Sequence, residues 1–275
     1  MMDNAFHSCF SRVMNHTFLL IVLLLSTSIT NAQSVRKILV LHGGGGSETS
    51  IRMGVADIAN ELGSSSSTEE YEFVYANGGY GSSGTYLWIP DPPGGKGEPT
   101  TDPDIAAASV ENLNMIVESE GPFYGIMGYS QGAAFTAVYL SKVPVGTFQV
   151  AIMFCGYLTE THLGLLNGVE DSSPFGDIPA LVWMGGMDQV ISNTLSRDLA
   201  TKFTNPVVIN DSDEGHIVPG RSQDTFSSVV DFIRSGDGSS NVTDDDSSSF
   251  RLYPNKCLLC VKYWIVIGLA FFYSY

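Results

Sequence analysis

The chain has 275 residues, 44% hydrophobic and only 15% charged, too apolar a balance for a disordered polymer. Thirteen Lys and Arg stand against 29 Asp and Glu, a formal net charge of −16, which excludes a protein that tracks nucleic-acid phosphates. Of the four cysteines only Cys155 falls in the part with globular patterning, so this is no disulfide scaffold.

Taken in chain order, the first element is an apolar run at 17–25 (TFLLIVLLL), led by Arg12 and followed by Thr30 and Ala32 before Gln33. A basic lead, a run too short to span a bilayer comfortably and small residues at the cut predict a secretory signal peptide over 1–32. A globular domain is expected over 33–235. Strand-length apolar runs occur at 37–41, 71–76, 124–128, 149–154, 180–184 and 207–210, with helical patterning at 50–62, 103–118, 131–142, 193–203 and 222–233. Runs such as ILVL, VAIMF and ALVWM are apolar at every position, as in strands whose two faces are both covered. Strand and helix alternate, which predicts an α/β protein: a doubly wound, mostly parallel sheet of about six strands with helices on both faces.

Two long connections break the alternation, 77–102 and 156–177. They carry Tyr80, Trp88, Leu163, Leu165 and Phe175, and these five are expected to line an apolar pocket beneath a roof made by the two loops. Beyond the last helix, 236–256 is polar and without periodicity, a linker by composition. Residues 257–275 are almost wholly apolar and are read as a lipid-anchor (GPI) signal or a membrane anchor; Cys257 and Cys260 fall in this tail, where acylation suits them better than metal. Asn210 and Asn241 head glycosylation sequons, the second in the exposed linker.

The densest chemical signal is Gly128-Tyr129-Ser130-Gln131-Gly132, which follows the strand FYGIM and opens the helix AAFTAVYL. A serine in such a turn has its hydroxyl lifted clear of the sheet, and the next backbone N–H sits at a helix start. Ser130 is therefore the expected nucleophile. A serine hydroxyl needs a base. Of His42, His162 and His216, only His216 follows the last strand, where this architecture places it, with His162 as the reserve. The orienting carboxylate should follow the preceding strand, which selects Asp188 in LVWMGGMD. Asp211, Asp213 and Glu214 are close to His216 in sequence and compete for that role, whereas Asp177 precedes the strand. His42-Gly43-Gly44-Gly45-Gly46 can turn backbone N–H groups toward a developing oxyanion, with Gly44 and Gln131 as the expected donors. No G-K-[ST] and no G-x-G-x-x-G frame accompanies these glycines, so a phosphate loop is the weaker reading. No His/Cys/Asp cluster has zinc spacing, and neither a metal nor an organic cofactor is expected.

LHG near the start, GYSQGAA mid-chain, WMGGMD later and EGHIVP near the end together resemble the FSH-type serine hydrolases, a small-sized branch of the α/β-hydrolase superfamily. The resemblance covers about 36–234. It implies an α/β-hydrolase sheet lacking the superfamily's first two strands, an esterase-like or thioesterase-like activity, and a triad on Ser130, Asp188 and His216. The run of four glycines after His42 is longer than the family pattern and leaves the donor at Gly44 open by one residue. The expected function is hydrolysis of small to medium carboxylic esters through an acyl-enzyme. A thioesterase is the alternative among enzymes, and a non-catalytic cell-surface binding protein is the alternative of another class. The expected partner is a small-molecule ester, with membrane attachment through the C-terminal tail.

Overall fold

The computed structural model describes residues 35–64, 69–176, 178–236 and 249–251. Arg36–Ser66 and Tyr71–Tyr275 form one unit; of the other, Met1–Val35 and Ser67–Glu70, only Val35, Glu69 and Glu70 are among the described residues. The expected signal peptide, Asp177, Asn241 and the apolar tail lie outside them.

Nine strands occur among the described residues. Seven form one sheet: β1 (Val35–Leu41), β2 (Glu70–Ala76), β5 (Gly125–Tyr129), β6 (Val150–Phe154), β7 (Ala180–Gly185), β8 (Val207–Asp211) and β9 (Ser249–Arg251), in the order β2-β1-β5-β6-β7-β8-β9. From β1 through β5, β6, β7 and β8 every neighbouring pair is parallel, and β9 closes the far edge antiparallel to β8. The sequence reading has six strands here because Ser249–Arg251 falls within the polar stretch 236–256. A three-residue edge strand needs no apolar pattern of its own to pair with β8.

Alternation along the strands divides the core in two. Leu39, Leu41, Met153 and Val182 face one side with α3 (Ala107–Glu120), α4 (Gln131–Leu140), α5 (Leu163–Ser172) and α6 (Asn193–Ala200). Ile38, Val40, Ile152 and Trp183 face the other with α1 (Glu48–Gly54), α2 (Ala56–Ser64) and α7 (Phe226–Ser235). Burial on both faces is why these strands read as unbroken apolar runs. The expected helix over 50–62 is two helices, and Val55 at the break still buries its side chain.

The long connections are structured. The first folds into a hairpin of β3 (Tyr80–Ser82) and β4 (Thr85–Leu87), turning at Ser83 and Gly84, both with positive φ as a tight twisted hairpin requires. The second contains α5. They are joined where Thr100 N–H donates to Thr161 O (2.8 Å) and the His162 ring Nε2 meets Pro90 O (3.0 Å).

Candidate active site

Every parallel strand ends on the same side of the sheet, and the residue chemistry collects there. Ser130 follows β5, Cys155 follows β6, Asp188 lies beyond β7, His216 beyond β8 and His42 directly after β1. Ser130 has φ 52° and ψ −118°, a conformation costly for a residue with a Cβ. It is held by Ser130 N–H donating to Phe154 O (2.9 Å) and by Ala134 N–H donating to Ser130 O (3.0 Å). So sharp a turn leaves no space beside it. A Cβ on Gly128 would lie 2.4 Å from Gly132 O, and one on Gly132 would lie 2.5 Å from His42 O, so both flanking positions must be glycine.

The His216 Nε2 lies 3.0 Å from Ser130 Oγ, and its Nδ1 lies 2.7 Å from Asp188 Oδ2. The Asp188 side chain is only 1% exposed, and its other oxygen accepts the N–H groups of Val190 (2.8 Å) and Ile191 (2.9 Å). Burial alone would raise this carboxyl, but the bonds from Ile191, His216 and Val190, with the His216 charge, take it below the ordinary 3.8. An ionised Asp188 requires the proton on Nδ1, which leaves Nε2 an acceptor facing the serine hydroxyl. The Tyr129 hydroxyl donates to His216 O (2.8 Å), tethering the histidine loop to the serine turn.

The competing carboxylates are engaged elsewhere. Asp211 accepts the Thr225 hydroxyl (2.9 Å), Glu214 accepts from the Gln223 amide (2.9 Å), and Asp213 accepts from Ser212 (3.3 Å). His162 is used in joining the two connections. Asn210 sits in β8, its amide oxygen accepting from Asn193 (2.9 Å).

His42 is fully buried. Its Nδ1 is 2.7 Å from Gly43 O and its Nε2 accepts the Gly78 N–H (3.1 Å), so the ring is neutral with its proton on Nδ1. Burial lowers its pKa, and the bond to Gly43 only partly opposes this. The Trp88 indole N–H donates to His42 O (2.8 Å). These bonds fix the start of the glycine run, and Gly44 and Gln131 both border a cavity of about 670 Å³ together with Ser130.

Its walls correct the expected pocket. Leu87, Ile89, Leu158, Val190, Ile191 and Leu195 are the apolar lining, beside Asp91, Lys96 and Glu160. Tyr80, Trp88, Leu163, Leu165 and Phe175 are not among the lining residues. Trp88 is fully buried against His42 and Phe135, while its neighbours Leu87 and Ile89 border the cavity. In α5 the helical period buries Leu165 with Val169 and leaves Leu163 outward. Phe175 packs on Phe203 and lines a separate cavity of about 250 Å³, and the Tyr80 hydroxyl donates to Ile105 O (2.6 Å). The two connections do border the cavity, but through different residues.

Cys155 is the neighbour that sequence reasoning missed. Its sulfur lies within 4.8 Å of ligand atoms of both Asp188 and His216, and the one available signal was its place at the end of a central apolar strand. Burial first, then the Asp188 charge, push the thiol up to about 12 despite bonds that favour the thiolate. It stays protonated and donates to Ile217 O (3.4 Å). The two ring nitrogens of His216 face Asp188 and Ser130 rather than the sulfur, at 2.7 and 3.0 Å.

A serine, a carboxylate and a histidine in that chain order, each at the C-terminal end of a parallel strand, define the α/β-hydrolase class. Within that class the chain belongs to the serine hydrolase (FSH1) family, which it matches over residues 32–227. It is 36% identical over 103 residues to Esterase OVCA2 of Xenopus tropicalis, covering 36% of this chain and 43% of that protein. It is 25% identical over 205 residues to Esterase FPY3 of Fusarium mangiferae, covering 66% and 88%. The chain spans about half the length of the frog, nematode and zebrafish relatives it matches. The Bacillus cereus carboxylesterase shares the fold, with TM-score 0.52 at 16% identity over 74% of this chain and 90% of that one.

Proposed function

We propose that this chain is a serine esterase that cleaves uncharged carboxylic esters of small to medium acyl groups. The observation that carries the reading is the continuous relay from Asp188 through His216 to Ser130, at 2.7 and 3.0 Å. Ser130 Oγ attacks the ester carbonyl while His216 Nε2 takes its proton, and Asp188 stabilises the imidazolium. The N–H groups of Gly44 and Gln131 hold the oxyanion. His216 then protonates the departing alkoxide, and water, activated by the same imidazole, releases the acid. The apolar walls suit an uncharged acyl chain. Asp91 and Glu160 at the cavity, on a chain of net charge −16, disfavour polyanionic thioesters such as those of coenzyme A.

The apolar lead, the polar stretch 236–256 and the apolar tail support entry to the secretory pathway, with attachment of the C-terminal end to a membrane and glycosylation at Asn241. The test of the activity is a fluorophosphonate probe and a series of nitrophenyl esters on the full chain, with Ser130→Ala and His216→Ala beside it. Labelling confined to Ser130 is expected, and each variant should lose about 10⁴-fold or more of kcat/KM. A folded parent that neither labels nor turns over any ester favours a binding protein on a hydrolase fold. Faster turnover of thioesters than of matched esters favours a thioesterase.

A further inference from the structure

The Gln131 side chain does something its backbone role does not require. Its Oε1 accepts the Trp88 N–H (2.8 Å), and its Nε2 donates to Ile89 O (2.9 Å). One carboxamide thus satisfies two backbone groups of the segment whose Leu87 and Ile89 border the cavity. The same segment is held from the other side: Gly45 N–H donates to Tyr86 O (2.8 Å), Tyr86 N–H donates to Gly46 O (2.9 Å), and the Trp88 indole donates to His42 O. A Cβ built on Gly44 would meet the Gln131 side chain at 3.4 Å. The glycine run and the wall at 86–89 are therefore one hydrogen-bonded unit, with the Gln131 carboxamide packed against both.

We propose that the Gln131 side chain is a specificity-determining clamp, setting the distance between the Ser130 hydroxyl and the Leu87–Ile89 wall and so the acyl length the site accepts. The inference rests on the esterase reading of the same site. Its physical basis is that the residue following the nucleophile cannot move: its backbone opens α4 directly behind the strained serine. A two-bond tether from that point transfers the position of the nucleophile to the wall. Glutamine alone supplies this, since the tether needs one acceptor and one donor on a planar group of this reach. Glutamate keeps the acceptor for Trp88 but turns a negative oxygen toward Ile89 O. Methionine keeps the length and loses both bonds.

The test compares kcat/KM for acetate, butyrate and hexanoate nitrophenyl esters in the parent, Gln131→Met, Gln131→Glu and Leu87→Ala. Loss of the clamp should change the hexanoate-to-acetate ratio by at least about fivefold, mostly through KM, since one methylene in a well-fitted pocket already discriminates by roughly 10-fold or more. Gln131→Met in the Leu87→Ala background should add little further change in the ratio, because both act on one wall. A loss that is equal for all three esters would assign the residue to the oxyanion alone and overturn the proposal, as would an unchanged ratio or a parent with no chain-length preference. If Gln131→Met does not fold by thermal melting, Gln131→Glu carries the same comparison. A parent that hydrolyses none of the esters sinks the esterase reading itself, a result distinct from a preference that survives the substitution.

Discussion

At the scale of the residue, Asp188 shows how hydrogen bonds decide a proton's position. Its two oxygens have different duties: one accepts the Val190 and Ile191 N–H groups, and the other faces His216 Nδ1. In Asp188→Asn the two backbone donors would keep the amide oxygen, so the amide NH₂ would face Nδ1. Nδ1 then becomes an acceptor, the ring proton moves to Nε2, and the base points its N–H at the serine it should deprotonate. We expect kcat to fall by about 10⁴ with KM little changed, and steady-state kinetics on a nitrophenyl ester measure it. A loss of less than tenfold would remove Asp188 from the relay. Cys155 is governed by the opposite balance, for its buried backbone has φ +50° and its thiol is pushed up to about 12. Since alkylation needs the thiolate, iodoacetamide near neutral pH should leave Cys155 unmodified in the folded protein and modify it once denatured. Peptide mass spectrometry reads both states, and rapid labelling of the native chain would contradict the buried, protonated thiol.

At the scale of the element, the loop carrying His216 is held to the sheet by polar bonds as well as packing. Trp183 Nε1 of β7 donates to Thr225 Oγ1 (2.9 Å), and that hydroxyl donates to Asp211 Oδ2 at the end of β8 (2.9 Å). All three residues are buried. Thr225→Val keeps the shape but strands an indole donor and a carboxylate, and should cost about 1–3 kcal/mol of stability, measured by denaturant titration. A change within a few tenths of a kcal/mol would mean that water replaces the hydroxyl. How legible each element was in the sequence follows from what encodes it. Strands such as Val150–Phe154, buried on both faces, announce themselves by an unbroken apolar run, and the serine turn by glycines with nowhere to place a Cβ. The order Ser130, Asp188, His216 was readable for the same reason, since each residue is set by the strand before it. The cavity wall was not readable. Which of Leu87, Trp88 and Ile89 faces the site depends on where His42 and Gln131 bond the segment, and those partners lie more than 40 residues away in sequence. Cys155 was passed over because its chemistry comes from neighbours in the loops after two other strands, and β9 because three residues at an edge carry no period.

At the scale of the whole molecule, a buried histidine that no reaction step uses links stability to pH. His42 is fully buried, and its pKa lies below the ordinary 6.5, chiefly through burial, with the bond to Gly43 opposing. Below 6.5 the unfolded chain takes up a proton at this residue that the folded chain resists, so folding becomes less favourable as pH falls. The stabilisation is complete above 6.5 and is lost progressively down to the folded-state value, with a limiting slope of about 1.4 kcal/mol per pH unit. Asp188 adds a second window at lower pH: its folded value is below 3.8, so its contribution is present above 3.8 and disappears as the medium becomes more acidic. Protonating His42 would also remove the acceptor for Gly78 N–H and loosen the entry to the glycine run, so activity and stability should fail together on that side. His42→Gln offers a neutral side chain with a donor and an acceptor and no titration in this range. Urea unfolding of the parent and this variant between pH 5 and pH 8 should give stability curves that run parallel above 6.5 and diverge below it, the variant losing less stability as pH drops. The free-energy difference between the two isolates His42 from the other histidines, which both proteins share. If the two stability curves run parallel through that range, His42 protonates alike in the folded and unfolded chains, and the buried neutral ring is not what ties this fold to pH.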